Sequence, residues 1–263
     1  MSEIHLIDYE NNIREIRLAR PPVNALNPAF LDAIHSALLE AEPYGIQALI
    51  LSGAPNIFSA GLDLPALLEL KEGELTDFWK LLIDTLKWFA LSPIPVVAAI
   101  TGHSPAGGTV LTLFVDYRIQ ARGDYRIGLN EVQVGLPVPT SIYRGLARLV
   151  GTHSAEHLVT QGLLISPDEA LRLGLVDEVV EAESVRQRAL AQAQAWLRLP
   201  HFAFQETRKT ARSDLESIFD CTDEPVQLTQ RWFHPDVQQA LREAVKALKN
   251  RSAASAQTRL RST

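Results

Sequence analysis

The chain has 263 residues, 46% of them hydrophobic and 21% charged, a formal charge of −6 and one cysteine, Cys221. That length and composition suit a soluble globular protein with a full core, the acidic balance argues against nucleic acid as the main partner, and a lone cysteine makes neither an intrachain disulfide nor a thiolate metal site. No apolar run approaches the roughly 18 residues of a spanning helix, and Ser2, Glu3 and Asp8 interrupt the start, so no membrane association and a cytoplasmic location are expected.

In chain order, residues 3–8 and 13–19 read as two strands of a hairpin parted by Glu10-Asn11-Asn12. The prolines of Arg20-Pro21-Pro22-Val23-Asn24-Ala25-Leu26 predict an extended segment. Asn27-Pro28 opens a helix with Phe30, Leu31, Ile34, Leu38 and Leu39 on one face. Ile46–Leu51 reads as a buried strand, and Asn56–Leu64 as a loop with small residues at its centre. A helix from about Leu75 to Phe89 sets Leu75, Phe78, Trp79, Leu82, Leu86 and Phe89 on its apolar side.

Pro95–Ile100 is a Val-rich run short enough for a strand buried on both faces. The turn Gly102-His103-Ser104-Pro105-Ala106-Gly107-Gly108 and the apolar Thr109–Val115 predict a buried helix with Ser104 as N-cap and Pro105 at its first position. Ser166-Pro167-Asp168-Glu169 is a capping box for a helix stopping at Gly174, and Val176–Val180 is extended. Helices broken at Pro200, Pro225 and Pro235 follow; the last carries Val237, Leu241, Ala244, Val245 and Leu248, and the tail after Asn250 is expected to fray. The chain thus divides into an α/β core, residues 1–195, and a helical region, residues 196–263.

Chemistry gathers in the middle. Free N–H groups at a helix start, with glycines allowing close approach, suit an oxyanion. Glu131 is the only charged side chain between Arg126 and Arg144, among Ile127, Leu129, Val132, Val134 and Leu136. A carboxylate in an apolar wall has its pKa raised toward neutrality, which suits a general base. By sequence alone Glu131 reads equally as a solvated turn residue, and Gly107-Gly108 as a close-packing pair.

Two rivals fail on single residues. Gly102-His103-Ser104-Pro105-Ala106 approximates a hydrolase nucleophile elbow, but Pro105 cannot donate the N–H required after the nucleophile. Neither phosphate-loop glycine motif is present, and His153/His157 lack a completing carboxylate for a metal. His103 reads as a structural group.

Phe58-Ser59-Ala60-Gly61-Leu62-Asp63-Leu64, Ser104-Pro105-Ala106-Gly107-Gly108, Asp116-Tyr117-Arg118-Ile119 and Ile127-Gly128-Leu129-Asn130-Glu131 together resemble the crotonase (enoyl-CoA hydratase/isomerase) superfamily. The match runs from about Ile13 to Val180 and looks most like the mitochondrial-type Δ3,Δ2-enoyl-CoA isomerases. The resemblance implies an α/β spiral of ββα turns with a helical trimerisation region, acting on acyl-CoA thioesters in fatty-acid β-oxidation chemistry. It implies catalysis by Glu131, an oxyanion hole from the N–H groups of Ala60 and Gly107, and a CoA path along Ala60, Gly61, Leu62, Asp63 and Leu64. Asn130 would border the acyl site. It also implies a homotrimer or dimer of trimers, no metal, and no cofactor beyond the coenzyme A of the substrate.

Hydratases of that superfamily carry a second glutamate where this chain has Val110. Hydration needs two groups to handle water and proton, whereas shifting a double bond needs one base. The resemblance therefore points to isomerisation of 3-enoyl-CoA to 2-enoyl-CoA. The alternatives are hydration or other acyl-CoA chemistry, with an esterase or a non-catalytic acyl-CoA binder behind them. Arg242, Lys246, Lys249 and Arg251 form a candidate patch for the CoA phosphates, or simply a solvated helix face.

Overall fold

A computed structural model of the protein describes residues 3–261, with side-chain surroundings from 3 to 250. The chain opens with the expected hairpin, β1 (Ile4–Tyr9) antiparallel to β2 (Ile13–Leu18). Helix α1 (Pro28–Ala41) follows, its first turn capped by Asn27 Oδ1, which accepts from Phe30 N at 2.8 Å. The segment between does not run extended. It turns at residues 21–23, and Asn24 N donates back to Arg20 O at 2.8 Å while Asn24 Oδ1 accepts from Arg20 N. The prolines removed ladder donors, but the asparagine supplied a local substitute for a ladder.

Strands then alternate between two sheets. β3 (Ala48–Ser52) lies in the first and β4 (Asn56–Ile57) in the second, followed by α2 (Leu64–Leu67) and the long α3 (Glu72–Leu91). β5 (Val96–Ile100) returns to the first sheet, β6 (Gly102–Pro105) to the second, and α4 (Gly107–Val110) closes that turn. β7 (Tyr117–Ala121) and β8 (Ile127–Gly128) repeat the pattern before α5 (Thr140–Val150), α6 (Thr152–Gln161) and α7 (Pro167–Leu173). Ser166 Oγ caps α7, and left-handed Gly174 ends it. With β9 (Glu178–Val180) the large sheet has the order β1-β2-β3-β5-β7-β9, parallel after β2; the small parallel sheet is β4-β6-β8. This is the ββα spiral that the sequence resemblance implied.

Period-two alternation splits the large sheet between two cores. Leu49, Leu51, Val96, Ala98 and Ile100 face the main cluster under α1 and α3. Ile50, Val97, Ala99 and Ile119 face α8 (Val185–Leu197), which packs through Val185, Ala189 and Ala193. β3 and β5 are buried along their whole length, which is why their sequence is continuously apolar.

The expected helix at Ser104 is corrected. Ser104 N donates to Arg126 O and Ala106 N to Gly128 O, both at 2.8 Å, so Ser104 and Pro105 belong to β6 and α4 starts two residues beyond Pro105. Pairing with β8 overrode a strong local cap signal. Beyond Val110 the buried run continues as tight turns, with Thr112 N to Thr109 O and Leu113 N to Val110 O, instead of a helix to Val115.

The helical C-terminal region comprises α9 (His201–Ala211), α10 (Glu224–Trp232) and α11 (Pro235–Arg261), with α11 running on through the stretch expected to fray. Arg208 grips Asp116 with two bonds of 2.7 and 2.9 Å, and Arg212 reaches the carbonyls of Phe89 and Phe114. α10 lies on α3 through Thr76–Thr229 (2.8 Å) and an edge-on Trp79–Trp232 contact. α11 sits over the turn after β8, where a Cβ on Gly135 would collide with Ala240.

Candidate active site

The glycine turn is positioned by the small sheet. Thr109 Oγ1 accepts from Gly128 N at 2.8 Å, tying α4 to β8. Ala106 adopts φ 48°, a costly conformation for a residue with a Cβ, and turns the chain so that Gly107 begins α4. Gly107 N donates to no protein acceptor among the described residues. An added Cβ at Gly107 would meet Gly61 Cα at 3.0 Å, so the loop before α2 lies directly against this turn.

That loop corrects one assignment. Ala60 N donates to Val23 O at 2.9 Å, so its N–H is committed within the protein and is not offered to a ligand. Two residues on, Leu62 forms a parallel bridge with Leu26: Leu26 N donates to Gly61 O (2.7 Å) and Asp63 N to Leu26 O (2.9 Å). In such a bridge the partners of Leu26 are the groups flanking Leu62, so Leu62 N points off that ladder, and it has no protein acceptor among the described residues. Leu62 and Gly107 line one cavity. Leu62 N and Gly107 N, on residues that both line this cavity, are therefore free to serve an oxyanion. The bond taking Ala60 comes from the turn at residues 21–23, a long-range partner that no local pattern reveals.

Glu131 enters the same cavity from a 3₁₀ turn, Glu131–Val134, closed by left-handed Gly135. It is only 7% exposed, and its Oε2 has no hydrogen-bond partner. Burial pushes the carboxyl up to about 7, partly offset by its own backbone N–H. Val110, Leu136, Pro137 and Ile142 complete an apolar surround. The solvated reading of Glu131 is thereby removed.

The other residues expected along the CoA path or the acyl site are not among those lining this cavity. The Asp63 carboxylate is committed to Arg20 (2.8 Å) and to capping α2 through Ala66 N (3.2 Å), so it braces the loop. Leu64 is buried at the start of α2, and Asn130, half-buried, accepts from Gln133 N through its carbonyl. Gly61 backs onto Gly107 without lining the cavity. Arg242, Lys246 and Lys249 are exposed on α11; the Arg251 side chain lies outside the described residues. His103 Nδ1 accepts from Arg126 N and its ring meets Tyr125 edge-on, while Ser104 Oγ is buried with no partner to activate it.

Sequence reasoning missed the far wall: Trp79 and Leu82 from α3, with Leu228, Arg231 and Trp232 from α10. Helical periodicity marked Trp79 and Leu82 as apolar, but not what they would face. A larger groove of about 660 Å³ between α1, α3 and α9 contains Arg208 and Arg212, whose guanidiniums are bound to Asp116 and backbone carbonyls. Among the described residues no three metal-ligating side chains come together, and no helix is long and apolar enough to cross a membrane.

Comparison with known proteins places the chain in a family. Residues 8–254 match the family model described as "Enoyl-CoA hydratase/isomerase". The chain belongs to that family. It is 35% identical over 206 residues to enoyl-CoA delta isomerase 1, mitochondrial, of Rattus norvegicus, covering 77% of this chain and 71% of that protein. It is 33% identical over 204 residues to the probable enoyl-CoA hydratase echA17 of Mycobacterium avium, covering 77% of each. Among solved structures, human mitochondrial Δ3-Δ2-enoyl-CoA isomerase superposes with a TM-score of 0.89 at 30% identity, covering 95% of this chain and 99% of that one. This family member is thus an enzyme of the enoyl-CoA hydratase/isomerase type.

Proposed function

We propose that this enzyme isomerises 3-enoyl-CoA thioesters to 2-enoyl-CoA with Glu131 as its single acid–base group. The observation that carries this reading is one buried carboxylate, its Oε2 unpartnered, lifted to about 7 by burial, in a cavity lined by no second acid among the described residues. A base with that pKa is substantially ionised at neutral pH yet strong enough to accept a carbon-bound proton.

In this scheme Glu131 removes a proton from C2. The C2–H electron pair moves into conjugation with the 3,4 double bond, and negative charge collects on the thioester oxygen. The N–H groups of Leu62 and Gly107 hold that oxygen; one such preorganised donor is worth roughly 10²–10³ in rate. Glu131 returns the same proton to C4, and the double bond ends between C2 and C3. Val110, 2% exposed, leaves no partner to activate water, which favours isomerisation over hydration.

The test offers a cis-3-enoyl-CoA and a trans-2-enoyl-CoA separately. Conjugation of the first without hydration of the second is expected. Hydration of the second at a comparable rate would overturn the single-base scheme.

A further inference from the structure

The Leu62 N–H stands at the end of a chain of hydrogen bonds that begins at a charge. Arg20 Nη1 donates to Ala25 O at 2.7 Å. The same peptide group, Ala25–Leu26, gives its N–H to Gly61 O at 2.7 Å. Gly61 O belongs in turn to the peptide group whose N–H is that of Leu62, which has no protein acceptor among the described residues. Every link therefore runs donor to acceptor in one direction, from the guanidinium to a residue that lines the Glu131 cavity. Hydrogen bonds in such a series polarise one another, so a cation at one end makes the N–H at the other a stronger donor.

The guanidinium is fixed in place. Its Nε donates to Glu3 Oε1 at 2.9 Å and its Nη2 to Asp63 Oδ2 at 2.8 Å. Asp63 directly follows Leu62, and its other oxygen caps α2 through Ala66 N at 3.2 Å. Arg20 thus grips both sides of the Leu26–Leu62 bridge, at Ala25 and at Asp63. All three guanidinium nitrogens are engaged, an arrangement that a lysine ammonium does not reproduce. The Arg20 and Asp63 side chains are mostly buried, so water screens this charge only in part.

We propose that Arg20 is a positioning residue for the reaction: through the Ala25–Leu26 peptide it places and polarises the Leu62 N–H that receives the oxyanion. This rests on the enoyl-CoA isomerase reading and adds to it a residue acting from two peptide groups away. The thioester oxygen carries more negative charge in the enolate than in the bound substrate. Loss of Arg20 therefore falls mainly on turnover.

Arg20→Met and Asp63→Asn test this with a cis-3-enoyl-CoA as substrate and saturated butanoyl-CoA as a ligand that does not react. Arg20→Met is expected to lower kcat by about tenfold or more, and Asp63→Asn by about fivefold. Calorimetric affinity for butanoyl-CoA is expected to stay within about threefold in both. The carbonyl stretch of bound butanoyl-CoA should move to higher frequency, while the fall of kcat/KM below about 7 stays where Glu131 sets it. An asparagine oxygen still caps α2, so Asp63→Asn decides the matter if Arg20→Met does not fold. A kcat within about twofold of the unmodified enzyme in either folded variant would overturn the role. So would a loss of butanoyl-CoA affinity equal to the loss in turnover, the mark of an arginine that binds the coenzyme directly. An unmodified enzyme that conjugates no cis-3-enoyl-CoA would overturn the isomerase reading, and the positioning role with it.

Discussion

Two of the buried glutamates in this protein, Glu15 and Glu131, have opposite fates. Glu15, on β2, is 1% exposed and surrounded by donors: Arg17 at 2.9 and 3.1 Å, Tyr9 Oη at 2.6 Å and Ser52 Oγ at 2.5 Å. Burial pushes its carboxyl up, but the bonds from Arg17, Ser52 and Tyr9 outweigh that and hold it below the ordinary value. Glu131 is nearly as buried, has no side-chain donor on Oε2, and rises to about 7. Burial alone therefore does not raise a carboxyl; burial without compensating side-chain donors does. A fully satisfied carboxylate is structural, whereas an unsatisfied one beside a cavity retains a proton affinity that a substrate can use.

The contrast can be broken most severely at Glu131. Glu131→Gln is expected to reduce conjugation of a cis-3-enoyl-CoA on the order of 10³-fold while the circular dichroism spectrum is unchanged. In the unmodified enzyme kcat/KM should fall as pH drops below about 7, because the base must be ionised.

Stability separates the two residues by sign. Glu131 has a folded value above its ordinary 4.5, so the native state holds the extra proton. Its contribution is favourable below 4.5 and is lost as pH rises to about 7. Glu131→Gln is thus expected to stabilise the fold at pH 8 by up to about 3 kcal/mol, read by urea denaturation. Glu15 behaves oppositely: its contribution is complete above 4.5 and disappears as pH falls through its lowered folded value. Glu15→Gln should destabilise at pH 7 by about 2 kcal/mol, a figure kept modest because Arg17 and Arg186 are about one-third exposed. The smallest effect is expected at Gly107→Ala. Its Cβ would press on Gly61 Cα and Leu26 Cδ1 at 3.0 and 3.1 Å, shifting the oxyanion donors and lowering kcat by about tenfold.

Much of this was legible in the sequence. The cap residues Asn27 and Ser166 marked helix starts, and the doubly apolar β5 marked a central strand. Glu131 stood out as a lone charge in an apolar stretch. What the sequence withheld was partnership across distance. Ala60 looked as free as Leu62 until Val23, from a distant turn, occupied its N–H. Ser104 and Pro105 carried a helix-start signal that β8 overruled. Glu15 sits between Arg14 and Ile16 with nothing local to mark it as buried, yet Tyr9, Arg17, Ser52 and Arg186 of α8 surround it. Leu228 and Trp232 could be recognised as apolar, but only the docking of α10 on α3 brings them to the cavity of Glu131.

That docking also sets an order on biosynthesis. Glu131 and Gly107 leave the ribosome well before residue 228, so a nascent chain carries both before the α10 residues that line their cavity exist. Only when α10 emerges and settles against α3 does the carboxylate lose its access to bulk water on that side. Leu228 and Trp232 thus complete the surround of Glu131 only when the chain is almost finished.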